Sequence, residues 1–198
     1  MLILISNPTP LVEEATLINQ FFDEGLDVFH IRKPQDSARN VIKLIEAIDS
    51  RYHMQISLHQ DHHLAGNYGI KRLHFSERVR YGQKNDITKA LKNEGFILST
   101  SVHSVEDFEH LNNTFMYSFI GPVFDSISKP GYLSKVKSYI PAFQKCTKAI
   151  AIGGIKASNI YHLKGRFDGI GILGAIWQSN APLTSFLQIR KIWNTQDP

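Results

Sequence analysis

Short apolar or β-branched runs alternate along this chain with longer stretches whose apolar positions recur at helical spacing. The strand-like runs cover 2–6, 26–32, 54–59, 72–75, 96–102, 116–121, 149–153 and 169–173. Helical spacing covers 10–24, 36–50, 61–68, 85–93, 104–112, 134–145, 157–164 and 181–193. Ser104, with Glu106 and Asp107 behind it, reads as an N-cap, as does Ser158 ahead of its own apolar pattern. Strict strand-helix alternation calls for a parallel sheet, because each crossover must return the chain to the start of the next strand. Eight such units fit a closed barrel better than an open sheet with two exposed edges. A single small (β/α)8 TIM-type barrel is therefore predicted over 1–198, with 122–133 as its one long loop after a strand.

Composition narrows the chemistry. With 42% hydrophobic and 20% charged residues, the 198-residue chain can bury a sizeable core. Lys+Arg 22 against Asp+Glu 18 gives a charge of +4 spread along the chain, so nucleic acid is not an expected partner. One cysteine, Cys146, excludes an intrachain disulfide and fits a reducing, cytoplasmic setting. It reads as a small core residue rather than a nucleophile. The opening MLILISNP reads as a strand rather than a leader, and no stretch approaches the roughly 18 apolar residues of a membrane span, so no membrane is expected.

In a barrel of this kind the strand C-termini and the loops after them form the reactive face. Strand two ends in HIRK, where alternation sends His30 and Arg32 to one side and Ile31 to the other. Strand three ends at His59 and Gln60, strand four carries His74, and strand five brings Ser99, Ser101 and His103. The long loop holds Ser126, Ser128 and Lys129, two hydroxyls and an ammonium suited to an anion. Gly153 and Gly154 end strand seven, and Leu173 and Gly174 end strand eight, where glycines let a phosphate reach backbone N–H groups. A phosphorylated small molecule is the expected ligand. His59, His62 and His63 straddle a strand end and a helix start without ExxH or HExxH spacing, so no metal is expected there. His53, His110 and His162 are expected at the surface.

HIRK, STSVHSVEDFE, FIGPVFDSISKPG, AIGGI and GILGAI, in this order over almost the whole chain, resemble the thiamin phosphate synthase/TenI family. The resemblance implies a (β/α)8 barrel, commonly a homo-oligomer, acting on a phosphorylated thiazole. Synthases join it to aminopyrimidine methyl pyrophosphate with Mg²⁺, whereas TenI-type members aromatise a thiazole carboxylate phosphate by tautomerisation without a metal cofactor. The synthase QxRxK motif stands here as His30, Arg32 and Pro34. Its Asn-Asp pair stands as His59 and Gln60, and its further Asp aligns with Val79 in HFSERV. The TxTK pyrophosphate loop is retained as Ser126, Ser128 and Lys129. With both magnesium aspartates replaced, the expected reaction is TenI-like tautomerisation with no cofactor. His103 then moves the proton, Arg32 steers the carboxylate, Ser101 and His30 orient substrate or base, and Gly153, Gly154, Leu173 and Gly174 hold the phosphate. The alternatives are a divergent thiamin phosphate synthase, which alone would need Mg²⁺, and a non-catalytic thiazole phosphate or thiamin phosphate binding module.

Overall fold

A computed structural model describes residues 1–82, 85–124 and 146–195. Eight parallel strands close into a barrel in chain order: β1 (Leu2–Ile5), β2 (Val28–Ile31), β3 (Ile56–Leu58), β4 (Arg72–Phe75), β5 (Ile97–Val102), β6 (Tyr117–Ile120), β7 (Lys148–Ile152) and β8 (Gly169–Ile172). The first strand pairs with the last, Leu2 opposite Ile170, which leaves no open sheet edge. Each strand is covered on both faces, which is why LILI of β1 is buried throughout rather than alternating. Alternation instead sorts two cores. Ile3, Ile5, Val28, Tyr117, Phe119 and Ile150 fill the barrel, while Leu2, Leu4, Phe29, Ile31 and their counterparts pack against the helices outside.

Among the described residues seven α-helices lie between or after the strands: α1 (Glu14–Asp23), α2 (Ala38–Ala47), α3 (Glu77–Gly82), α4 (Asn85–Asn93), α5 (Val105–Glu109), α6 (Gly174–Trp177) and α7 (Pro182–Asn194). Helix α1 buries Glu14, Ile18, Phe21 and Phe22, one helical stripe against the sheet. Ser104 caps α5 as predicted, its Oγ accepting from the Asp107 N–H at 3.0 Å. Ser158 does not cap. Asn159 holds that position and uses its amide elsewhere.

Other local expectations are corrected. The segment read as helix 61–68 is a 3-10 turn, His62–Tyr68, and only Ile160–Leu163 of 157–164 is helical, again as 3-10. The 36–50 pattern breaks into α2 and a separate 3-10 turn, Ser50–Gln55, which takes Met54 out of the third strand. Within it His53 is buried rather than at the surface, its ring nitrogens 3.0 to 3.1 Å from the Tyr68, Ile45 and Ile48 carbonyls. Those carbonyls sit at turn and helix ends, where ladder partners run out and an imidazole can satisfy them. Cys146 is exposed, and it is Thr147 beside it that turns into the core. His110 and His162 are exposed as expected. The candidate helix 134–145 and most of the loop 122–133 lie outside the described residues. No helix among the described residues is long and apolar enough to cross a membrane.

Candidate active site

Barrel closure brings residues from distant parts of the sequence into one interior layer. Register sets Ile5 opposite His30, His30 opposite Ser57, His74 opposite Ser99, and Ser99 opposite Tyr117. His30 is fully buried, with Nδ1 2.8 Å from Nε2 of His59 and Nε2 2.7 Å from the Tyr117 hydroxyl. His74 lies with Nδ1 3.0 Å from Ser99 Oγ, and its ring stacks on that of His59 at 4.0 Å. Phe119 forms the floor, its ring 5.0 Å from His30 and 5.5 Å from His74. Burial holds His30 and His59 well below the usual imidazole range, with His74 opposing their protonation further, and burial takes His74 down to about 3. Burial likewise raises the Tyr117 phenol. The layer is thus neutral near pH 7, each imidazole offering one donor and one acceptor.

Above this layer the loops build the mouth. Arg32 is exposed, and its backbone is fixed by Ser6, whose Oγ accepts from the Arg32 N–H at 2.8 Å and donates to the Arg32 carbonyl at 3.0 Å. The next residue, Lys33, is buried and ion-paired with Glu14 at 2.6 Å. His103, just past β5, is exposed, with Nδ1 3.2 Å from the Gly121 carbonyl and Nε2 3.7 Å from the Glu77 carboxylate. A carboxylate beside an imidazole at the mouth is an arrangement a general acid or base can use. Ser101 is half-buried in β5, in register with Phe119.

On the other side of the mouth, a cavity of about 690 Å³ is lined by Asn7, Gly153, Gly154, Leu173, Gly174 and Trp177 among others. The two glycine-bearing turns predicted to bind phosphate therefore open into one space. Gly153 has φ +100° and a side chain there would meet Pro122 at 2.7 Å, so a Cβ is excluded on both counts. Asn159 braces the turn by donating to the Gly154 carbonyl at 2.9 Å, and Trp177 Nε1 donates to the Ile5 carbonyl at 2.7 Å, docking α6 on β1. Ser126, Ser128 and Lys129 lie outside the described residues.

With the fold and the mouth established, comparison with known proteins is decisive at the family level. Residues 2–176 match the family model described as thiamine monophosphate synthase, which also covers TenI. The chain belongs to the thiamin phosphate synthase/TenI family, a family of enzymes. A thiamine phosphate pyrophosphorylase from Bacteroides thetaiotaomicron is similar at 25% identity and TM-score 0.73, with 96% of each chain covered. One from Pyrococcus furiosus is similar at 17% identity and TM-score 0.73, covering 96% of this chain and 94% of that one. The 3-hexulose-6-phosphate synthase of Salmonella typhimurium shares the fold at 14% identity and TM-score 0.64, with 97% of each chain covered. No curated protein sequence matches the chain.

The magnesium used by synthases does not fit the residues found at the corresponding positions. Gln60 spends its side-chain amide on Lys33, accepting from its N–H at 3.3 Å and donating to its carbonyl, and Val79 packs against the core. Neither offers the hard anionic oxygen that Mg²⁺ requires. Sequence reasoning also passed over three members of the site. Tyr117 reads as one more aromatic in an apolar run, Ser6 as a strand end, and Glu77 as part of a polar turn, although its position after strand four was a signal that it faces the mouth.

Proposed function

We propose that this chain is an enzyme of thiamin formation that joins a thiazole phosphate to an aminopyrimidine methyl pyrophosphate, releasing pyrophosphate. The observation that carries this reading is the family match over 2–176, with two neighbours named thiamine phosphate pyrophosphorylases. The glycine turns after β7 and β8, meeting in one cavity, suit the phosphate end of the thiazole, which backbone N–H groups can hold. Arg32, exposed with its backbone held by Ser6, supplies a cation for a substrate anion.

A second reading, tautomerisation of thiazole carboxylate phosphate, is favoured by Gln60 and Val79 at the aspartate positions and by the Glu77–His103 pair. An imidazole oriented by a carboxylate can take a ring proton and return one at a neighbouring atom with no metal. On that reading His30 and Ser101 orient substrate or base, and His103→Ala lowers the rate by roughly 10² to 10⁴ while leaving the barrel folded.

One reaction separates them: purified protein, thiazole carboxylate phosphate, aminopyrimidine methyl pyrophosphate and Mg²⁺, which in coupling would be held by the substrate pyrophosphate and by water or other protein oxygens in place of the missing aspartates, with thiamin phosphate quantified against a no-enzyme control. Multiple turnovers are the expected result. No product, with aromatisation of the tautomer at a rate that falls in His103→Ala, would replace coupling by tautomerisation. Saturable binding with neither conversion would overturn both in favour of a non-catalytic binding module.

A further inference from the structure

His30, His59 and His74 come from three successive strands and reach one place in the barrel, where one ring nitrogen from each lies within 4.8 Å of the other two. Two of them have the hydroxyl-tied second nitrogen of a metal ligand, and the third closes the set. His30 presents Nδ1 to the cluster while its Nε2 meets the Tyr117 hydroxyl at 2.7 Å. His74 commits Nδ1 to Ser99 Oγ at 3.0 Å, which leaves Nε2 for the cluster. His59 brings Nε2 to 2.8 Å from His30 Nδ1, and it is the half-buried member, closing the layer on the mouth side. A metal-bound histidine characteristically ties its second nitrogen to a hydroxyl, carbonyl or carboxylate, which fixes the tautomer and the ring. Two of the three already do so.

We propose that these three imidazoles form a binding site for a divalent first-row transition ion of the Zn²⁺ or Co²⁺ kind, with a fourth position open toward the mouth. A tetrahedral ion with bonds of about 2.0–2.1 Å sets its nitrogens ~3.4 Å apart. The 2.8 Å His30–His59 contact opens to that distance and the wider separations close to it, movements within reach of ring rotations. Three neutral nitrogens are the wrong donors for Mg²⁺ and the right ones for zinc, cobalt, nickel or copper. No carboxylate belongs to the set, so the ion keeps its full charge. Arg32, two residues beyond His30 on the same side, adds a guanidinium at the mouth. The fourth ligand is therefore water, hydroxide or an anionic oxygen rather than another protein cation. This site rests on the described histidines alone and not on which reaction the family member performs.

The test is titration of chelator-treated protein with Co²⁺, read by the visible absorption of the tetrahedral ion and by calorimetry, then displacement by Zn²⁺. The expected result is one equivalent bound with nitrogen-ligand absorption, no competition from Mg²⁺, and unchanged binding in His62→Ala and His110→Ala. His59→Ala removes the half-buried ligand and is expected to abolish the signal. Ser99→Ala and Tyr117→Phe keep all three imidazoles and are expected to weaken binding by about 10- to 100-fold, so the idea stays exposed if an imidazole deletion unfolds the barrel. Absence of a saturable site, or equal affinity in His59→Ala and Ser99→Ala, would overturn it.

Discussion

The Lys33–Glu14 pair sets the geometry of the mouth and gives the sharpest energetic prediction. Its side chains are 2% and 4% exposed, with Nζ 2.6 and 2.8 Å from the two carboxylate oxygens and 3.1 Å from the Thr9 carbonyl. Burial raises the Glu14 carboxyl above its usual range and Lys33 opposes that shift, so desolvation and attraction meet in one contact. Glu14→Ala leaves a buried ammonium with the Thr9 carbonyl as its one hydrogen-bond partner among the described residues. The expected loss is about 3–5 kcal/mol, the cost of an uncompensated buried charge. For a chain of this length that is a melting temperature lower by roughly 6–20 °C, at about 2–4 °C per kcal/mol. Replacing both partners, Glu14→Leu with Lys33→Met, removes the orphaned charge as well, and is expected to return stability to within about 1 kcal/mol of the parent or above it. Urea denaturation of Glu14→Leu, Lys33→Met and the double completes the cycle. A single variant losing under about 1 kcal/mol, or a double variant no better than the singles, would refute the claim that the pair offsets its own burial.

Two further perturbations act inside the barrel. Gly171→Ala places a Cβ 2.7 Å from Phe119 Cε1, and the crowded ring already packs near His30 and His74, so a loss of about 1–3 kcal/mol is expected in urea denaturation. Adding Phe119→Leu should recover part of that loss, and no recovery would mean that the clash is not with this ring. Acidification of metal-free protein should destabilise it. The folded state holds His74 near 3 while the unfolded chain titrates near 6.5, so the native state refuses a proton that the unfolded chain accepts. Stability is complete above about pH 6.5 and falls toward pH 3 at ~1.4 kcal/mol per pH unit for this group alone. His30 and His59 are shifted in the same direction, so the slope between pH 6 and 5 should exceed one proton's worth. A stability profile flat from pH 7 to 5 would refute the buried neutral state of the layer.

What the sequence made legible was what depends on local period. Alternation placed His30 on one side of β2 and Ser99 with Ser101 on one side of β5, and strand register keeps Ser99 and Ser101 opposite the inward Tyr117 and Phe119; Arg32 falls just beyond β2. Short segments were less legible for a physical reason. His62–Tyr68 and Ile160–Leu163 span seven and four residues, too few turns for an apolar stripe to distinguish 3-10 from α, and their caps do not use the side chains that a longer helix would. Cys146 was misplaced because it just precedes β7, where one residue of drift turns a side chain from core to solvent, and His53 because its burial depends on carbonyls of α2 and the next turn that no local pattern reveals.

The site itself was legible in its parts and not in its assembly. His30, His59, His74, Ser99 and Tyr117 span nearly ninety positions, and no local pattern says that they touch; closure of the sheet does, because it converts strand order into angular position around one axis. The same closure explains why β8 carries inward-facing glycines. Gly171 lines the cavity and yields its side-chain volume to Phe119, whose ring also packs near His30 and His74. One aromatic ring thereby touches both a glycine that lines the cavity and the imidazole layer.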